Sequence, residues 1–311
     1  MSTTIEQPKA TVLAEGRQTI FMKHGVVVPK NATVAQALKA GGLDFKVETV
    51  ALKTADGTEV PNRFAVRRAD TGQVFDVVGR SYVPIQNVDA FGVAEGVQQV
   101  LDIEFGAAGV TASGKVCWLQ AKLPGLYTPV VGDPHEMHLL FQTSHDGRKA
   151  TTIAITPIRL ACTNQMNLAF RTARQKWAVR HVGDPVEALK QAHVAAGYVE
   201  RYEEEYRSIS NKLMCLKVST TQMDNILNGL LPDRPKREQE VAAIKDLALN
   251  AATNELGRGT AYGLLNATRE YYDHVRPHRT SESAFIGSTN GVNKATSDRL
   301  LAELLRRADK K

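Results

Sequence analysis

The stretch EMHLLFQTSHDGRKATTIAITPIRLAC, residues 136–162, decides the fold. Two runs rich in β-branched and apolar residues flank the pair Asp146-Gly147, and an Asp-Gly pair in that setting is a strong β-hairpin signal. Pro157 has no backbone N–H to donate, so we expect it at an edge or a bulge of the sheet. The stretch therefore predicts an antiparallel pair of strands.

Similar strand-like runs come before this hairpin, and they extend the prediction to a sheet. They are FKVETVAL, RFAVRRA, VFDVVG and KVCWLQAKL. Thr33 is a suitable N-cap for a short helix that ends at Gly41-Gly42, because its hydroxyl can accept from a free helix N–H. A second helix is expected from Asn87 or Asp89 to about Leu101.

Helical patterns dominate after the hairpin. Thr163 or Asn164 is expected to cap a helix over QMNLAFRTARQKW, residues 165–177. From Pro185 to Leu216, apolar residues recur in steps of three and four, which predicts a long helix with one apolar side. That side either packs on its own domain or mediates self-association. Further helices are expected over 220–231, up to about residue 255 and from Thr296, with a flexible polar loop around 281–291.

These patterns predict an α+β fold with an N-terminal antiparallel sheet and helices, followed by a helical C-terminal half. We expect a flexible N-terminus over residues 1–22. An α+β domain that carries a basic hairpin–helix segment would follow over 23–182, and a helical region over 183–311.

The charge distribution points to a binding function. No acidic residue lies between Asp146 and Asp184, and this window holds seven basic ones together with Trp177. The basic residues are Arg148, Lys149, Arg159, Arg171, Arg174, Lys176 and Arg180. Such a surface suits a polyanion, and nucleic acid is the commonest one in cells. The alternative is that some of these residues, Arg159 above all, pair with acids elsewhere in the chain.

A second cluster, at residues 269–279, mixes aromatic and basic side chains. It offers Arg269, Tyr271, Arg276 and Arg279 as a second nucleic-acid patch, since single strands are held by stacking and by positive charge. The same residues could instead make a packed helix end.

The bulk composition excludes several classes of protein. The chain has 311 residues and a net charge of +6, and no apolar run approaches the ~20 residues that cross a bilayer. The N-terminal residues lack the pattern of a signal peptide. Three separated cysteines predict reduced thiols in a cytoplasm, with neither a disulfide framework nor a zinc site.

The sequence contains no complete catalytic motif. Residues 109–115 match the spacing of a phosphate-binding loop, but Val116 stands where Ser or Thr should hold magnesium, and a strand follows instead of a helix. His135 and His138 would point to opposite faces of a strand, which disfavours a metal site. We therefore expect no catalytic residue, metal or cofactor. An unrecognised enzyme site around His145, Asp146 and Asn164 is the alternative.

Three longer stretches resemble a known family. They are RRADTGQVFDVVGRSYVPIQNVDAF (67–91), LLFQTSHDGRKATTIAITPIRLACTNQMNLAF (139–170) and GTAYGLLNATREYYDHVRPHR (259–279). Together they resemble the phage/plasmid-like family catalogued as domain of unknown function 932. The carrying pattern is Tyr82 with Gln86-Asn87, then His145-Asp146-Gly147, Arg159 and Cys162-x-Asn164 in that order. Gln165 departs from the threonine that is common after this last motif.

The resemblance implies a phage, prophage or plasmid origin and a bacterial host cytoplasm, and it implies no known reaction. A weaker likeness, in arrangement and charge, is to the phage single-strand annealing proteins of the Erf and Red-beta group, which implies an oligomer. The leading hypothesis is therefore a protein that binds single-stranded DNA and anneals strands. The other hypothesis is a protein-interaction module that acts on a host system.

Overall fold

The fold is described from a computed structural model, which covers residues 18–111, 113–162, 165–166, 176–289 and 291–310. Its strands are β1 (Val26–Val27), β2 (Val47–Lys53), β3 (Glu59–Arg68), β4 (Val74–Gly79), β5 (Glu104–Val110), β6 (Val116–Lys122), β7 (Tyr127–Val130), β8 (Asp133–Ser144), β9 (Thr151–Arg159) and β10 (Lys176–Val179). Its α-helices are α1 (Ile20–His24), α2 (Val34–Ala40), α3 (Asn87–Leu101), α4 (Pro185–Leu189), α5 (Gly197–Cys215), α6 (Thr220–Leu230), α7 (Arg237–Asn250), α8 (Ala261–Glu270), α9 (Ser281–Thr289) and α10 (Val292–Ala308).

The predicted hairpin lies at the centre of the larger sheet. Within the described residues this sheet runs in the order β1-β5-β6-β8-β9-β10. Strand β7 pairs with the beginning of β8. All the pairings are antiparallel, and β8 meets β9 from His135 opposite Arg159 to Gln142 opposite Thr152. The connecting turn is longer than a two-residue hairpin, and Gly147 takes a φ of +70° in it. Strands β2, β3 and β4 form a separate antiparallel sheet.

Side chains alternate between the two faces of the larger sheet, and both faces are covered. Cys117 and Leu119 of β6 face the main core, together with the apolar side chains of α3, α5 and α8. Trp118 points to the opposite face and packs there with Phe21 of α1 and Phe285 of α9. The ring centroids of Trp118 and Phe285 are 4.9 Å apart, and those of Phe21 and Trp118 are 5.7 Å apart.

The predicted α+β fold with a helical C-terminal half is confirmed, and several boundaries within it change. The expected flexible segment 1–22 extends into α1, where Ile20 and Phe21 are buried; residues 1–17 lie outside the described residues. The expected polar loop at 281–291 is wrong, because residues 281–289 form α9. The long helix predicted from Pro185 is broken into α4, a 3-10 turn over 192–196 and α5.

The apolar side predicted for that long helix lies inside the molecule. Val199, Tyr202, Tyr206 and Leu213 of α5 are buried in the main core, which also contains strand residues. The phenol of Tyr206 lies 3.0 Å from Nδ1 of His135 in β8. The stripe thus packs on its own chain, and it joins the helical half to the sheet.

Candidate nucleic-acid interface

Four basic side chains of the predicted window lie on or directly after β10, the last strand in the order of the larger sheet, and on the β8–β9 turn beside it. Arg148 and Lys149 belong to the turn between β8 and β9, and Lys176 begins β10. Val179 is opposite Thr151 in the β9–β10 ladder, so Arg180 lies beside the turn that carries Lys149. Arg148, Lys176 and Arg180 are exposed, and Lys149 is half-buried. We call these four residues the basic edge.

The charges of the basic edge interact with one another. Partial burial lowers the pKa of Lys149; Asp146 opposes this shift, and the nearby charge of Lys176 adds to it. Burial likewise lowers the pKa of Lys294 in α10, with repulsion from Arg269 and Lys176 as smaller causes. Lys294 therefore lies near Lys176, but its own charge is balanced by Asp298.

Acidic side chains neutralise only part of this positive charge. Nη2 of Arg148 lies 3.2 Å from Oδ2 of Asp76, although the arginine side chain is 75% exposed. Lys294 pairs with Asp298 at 2.8 Å. The pair of Arg148 with Asp76 lies at the surface and is worth at most about 1 kcal/mol, so it does not prevent Arg148 from contacting an anion.

A cluster of aromatic rings supports the turn beneath the basic edge. The ring of His145 is buried, stacks on Phe75 with centroids 5.7 Å apart, and lies 2.9 Å from Oδ1 of Asn87 through Nε2. Tyr82 stacks on His181 with centroids 5.3 Å apart and an interplanar angle of 6°. Tyr82, Asn87 and His145 belong to the family pattern of the sequence, and here they come together.

Gly147 is required where this cluster meets the turn. A Cβ on Gly147 would lie 2.9 Å from Cγ1 of Val78, and its φ of +70° is strained for other residues. The backbone N–H of Val83 donates to the carbonyl of His181 at 2.8 Å, and this bond links the segment after β4 to the segment after β10. The pattern around His145-Asp146-Gly147 thus shapes the turn that presents Arg148 and Lys149.

Both histidines of the cluster are neutral at pH 7. Burial lowers the pKa of His145 to about 4, with repulsion from His181 as a smaller cause. Burial also lowers the pKa of His181 to about 4. Among the described residues, neither ring has a hydrogen-bond partner for its Nδ1. The histidines therefore add no positive charge to the basic edge, and the complete burial of His145 speaks against its use as a general base.

Arg159 is not part of the surface, which corrects its assignment as a nucleic-acid contact. Its side chain is buried, and its Nε lies 2.8 Å from Oδ2 of Asp133. Its Nη1 donates to the carbonyl of Thr253 at 2.7 Å, and the Tyr262 hydroxyl donates to Asp133 at 2.6 Å. Burial alone would raise the pKa of Asp133, but the hydrogen bond with His135 and the charge of Arg159 hold it well below its usual value. Internal pairing, the alternative raised from the sequence, applies to this residue.

The second patch is also mostly internal. Arg269 is buried in α8, where every residue is buried, and its Nε donates to the carbonyl of Gln165 at 2.6 Å. Tyr271 is 9% exposed. Arg276 is half-buried and donates to Oδ1 of Asn293 at 2.6 Å, whereas Arg279 is exposed. Of these four residues only Arg279 offers its charge freely to solvent, so the packed helix end is the better description.

The helix predicted over 165–177 is wrong at its end. Lys176 and Trp177 lie in β10, opposite Ala154 and Ile153 of β9. Trp177 is partly buried against the main core, so only part of its side chain is exposed. Arg171 and Arg174 lie outside the described residues.

The remaining motifs keep structural roles. Lys115, the lysine of the phosphate-loop spacing, lies 3.9 Å from Asp76 and is followed by β6, as the sequence predicts. His135 and His138 are buried and face different partners, Tyr206 and Glu136. In the described part of the chain, no group of three or more potential ligands could hold a metal ion. Likewise, none of the described helices has both the length and the apolar character needed to cross a membrane.

The sequence missed residues that complete the site. Asp76 and Lys294 border the basic edge, and Asp133 holds Arg159, yet none stands in a pattern that marks it. Lys294 follows a stretch that looks like a polar loop, and Asp133 follows Gly132 as a turn residue would. Their roles arise from contacts between segments that are distant along the chain.

The fold and this edge define a mixed α/β protein with a basic surface along the last strand of an antiparallel sheet and the adjoining turn. The family described as Domain of unknown function (DUF932) matches the chain over residues 74–297, and the chain belongs to that family. Neither the comparison with curated proteins nor that with solved structures finds a match. The matched region begins at β4 and ends within α10, so it contains both the basic edge and the cluster beneath it.

Proposed function

We propose that this protein binds nucleic acid through the basic edge and prefers single-stranded DNA. The observation that carries the proposal is the grouping of Arg148, Lys149, Lys176 and Arg180 along β10 and the turn beside it, in a window without acidic residues. Three of the four are exposed, and Lys149 is half-buried. Positive surfaces of this kind bind the phosphate backbone and need no cofactor.

The proposal has a quantitative consequence for the effect of salt. Each phosphate contact on a single strand contributes roughly −0.7 to the slope of log affinity against log salt concentration. Contacts by all four residues of the basic edge would give a slope of about −2.8. Arg171 and Arg174 belong to the same acid-free window, and phosphate contacts from them would steepen the slope further.

The test is fluorescence anisotropy with a labelled single strand and a duplex of the same length, across a salt series. The variant Lys176→Gln with Arg180→Gln should reduce the salt slope by about 1.4. The control variant Lys53→Gln with Arg306→Gln removes the same net charge at two other exposed positions and should bind as the unchanged protein does. No binding at low salt, or equal losses in both variants, would contradict the proposal.

Strand annealing and self-association are finer parts of the same proposal, as is action in the cytoplasm of a bacterial host. An annealing assay with complementary strands tests the first, and light scattering with and without DNA tests the second. The alternative of a protein-interaction module loses its proposed surface, because the apolar stripe of α5 is buried in the core. The alternative enzyme site has a fully buried His145, and Asn164 lies outside the described residues.

A further inference from the structure

A cavity separate from the basic edge lies between the α5–α6 connection and the end of α10. Its volume is about 240 Å³. Its lining includes Leu216, Lys217, Val218, Ile226, Arg307 and Lys310. A cavity of about 150 Å³ holds a benzene ring, so this one has room for one amino-acid residue and not for a large ligand.

The floor of the cavity is apolar and fixed in place. Leu216, Val218 and Ile226 are each at most 6% exposed, so they are anchored in the main core. The N–H of Val218 donates to the carbonyl of Gly259 at 3.0 Å, and the carbonyl of Leu216 accepts from Ala261 at 2.8 Å. These backbone bonds hold the α5–α6 connection against α8. The cavity is therefore preformed, which lowers the entropic cost of binding.

The rim of the cavity is positive. Lys217, Arg307 and Lys310 surround the apolar floor. Arg307 donates to Glu303 at 2.6 Å, and Glu303 also binds Arg306, so this one carboxylate is shared by two arginines. Among the described residues, no carboxylate lies within ion-pair distance of Lys217 or Lys310.

The next acidic residue along α10 does not change this balance. The carboxylate of Asp309 is engaged by Lys212, which comes from α5. The lysines on the rim thus keep their charge available for an external anion. An apolar floor with a positive rim complements a ligand that carries an apolar group and a negative charge close together.

We infer that this cavity binds the C-terminal residue of a partner polypeptide. Its aliphatic or aromatic side chain lies on Leu216, Val218 and Ile226, and its terminal carboxylate faces Lys217 and Lys310. A C-terminal residue carries both groups on one Cα, which matches a cavity with room for one residue. An internal acidic residue does not match this cavity, because its carboxylate and the neighbouring apolar side chain belong to different residues. Capture of a terminal carboxylate is a recurring mode of peptide recognition.

The test measures fluorescence anisotropy of a short labelled peptide that ends in leucine with a free carboxylate. Its C-terminal amide and a version that ends in glycine should each bind about tenfold more weakly or worse. On the protein, Lys217→Ser with Lys310→Ser should weaken the free peptide about tenfold. Both lysines are exposed, so the fold should tolerate their loss. The exposed Lys236 at the start of α7 and the exposed Lys39 of α2 supply the control Lys236→Ser with Lys39→Ser, which removes the same net charge.

Each other outcome overturns the inference. If the peptide amide binds as tightly as the peptide with a free carboxylate, the rim does not recognise a terminal carboxylate. Equal loss in the control variant of Lys236 and Lys39 would show attraction to net charge alone. Binding of anionic vesicles or of decanoate in place of the peptide would assign the cavity to a lipid. The site is independent of the proposed function: Lys217→Ser with Lys310→Ser should leave single-strand affinity unchanged.

Discussion

Acidification should destabilise the protein through His145 and His181, which support the basic edge. Each ring has a pKa of about 4 in the folded protein, against 6.5 in an unfolded chain. Between these values the unfolded chain binds more protons, so the free energy of unfolding falls as pH falls. The stabilisation is complete above about pH 6.5, and it is lost on the way down to about pH 4.

The size of the effect follows from the shift. One pKa unit corresponds to about 1.4 kcal/mol, so each ring costs at most about 3.5 kcal/mol over the whole window and about 2 kcal/mol by pH 5. The nearby charges act in opposite directions: the two rings repel each other when protonated, and Asp146 attracts both. The loss of unfolding free energy calculated for each ring is therefore an upper limit.

Urea unfolding at a series of pH values measures this slope. In His145→Gln the amide can still donate to Asn87, and in His181→Gln it can still meet Thr151, but neither glutamine binds a proton. Each variant should show a slope between about pH 6.5 and about pH 5 that is less steep by up to about 1.4 kcal/mol per pH unit. His193 is exposed, and His193→Gln provides the matched control.

If the unfolding free energy of a variant changes with pH as it does in the unchanged protein, the reasoning is refuted. The ring would then titrate alike in the folded and unfolded states. A steeper acid loss in either variant would refute it as well. A constant offset at every pH reports the packing of the new side chain and leaves the slope as the deciding quantity.

Three further changes should affect stability, each measured by urea unfolding at neutral pH. Arg159→Met should cost about 3–5 kcal/mol because Asp133 keeps a buried charge without its cation, and adding Asp133→Leu should recover part of that loss. Gly263→Ala should cost more than about 2 kcal/mol, since its Cβ would lie 2.0 Å from the carbonyl oxygen of Gly257, a backbone atom that cannot turn away. Ser219→Ala removes the capping box of α6 and should cost about 1 kcal/mol. An unchanged unfolding midpoint in any of the three would count against the contact assigned to it.

Local chemistry made much of the fold predictable. Thr33 caps α2 through a capping box with Gln36, and α3 spans the predicted residues from Asn87 to Leu101. The Asp-Gly signal at 146–147 marked the β8–β9 hairpin correctly, although its turn is longer than two residues. In these cases the deciding interactions lie within a few residues of each other, so the sequence contains them.

The errors arise where distant contacts decide the structure. Strand β5 has the weak sequence EFGAAGV and forms because β1 and β6 pair with it from either side. Helix α9 has no strong apolar periodicity, yet Phe285 is buried against Trp118. The sequence left Arg159 between the basic surface and an internal ion pair, because the acid that binds it, Asp133, belongs to another strand. For the candidate site, the absence of acidic residues between Asp146 and Asp184 was visible in the sequence, but the exposure of each basic side chain was not.

The packing of Phe21 on Trp118 and Phe285 has a consequence for synthesis on the ribosome. Phe21 is synthesised long before Phe285, so the whole stretch of chain between these two residues must be made before the three rings can meet. Until then one face of the larger sheet stays uncovered around Trp118. Contacts between such distant residues form slowly, because a large loop must close first. The nascent protein thus passes through a stage in which this apolar face is open to chaperones and to aggregation.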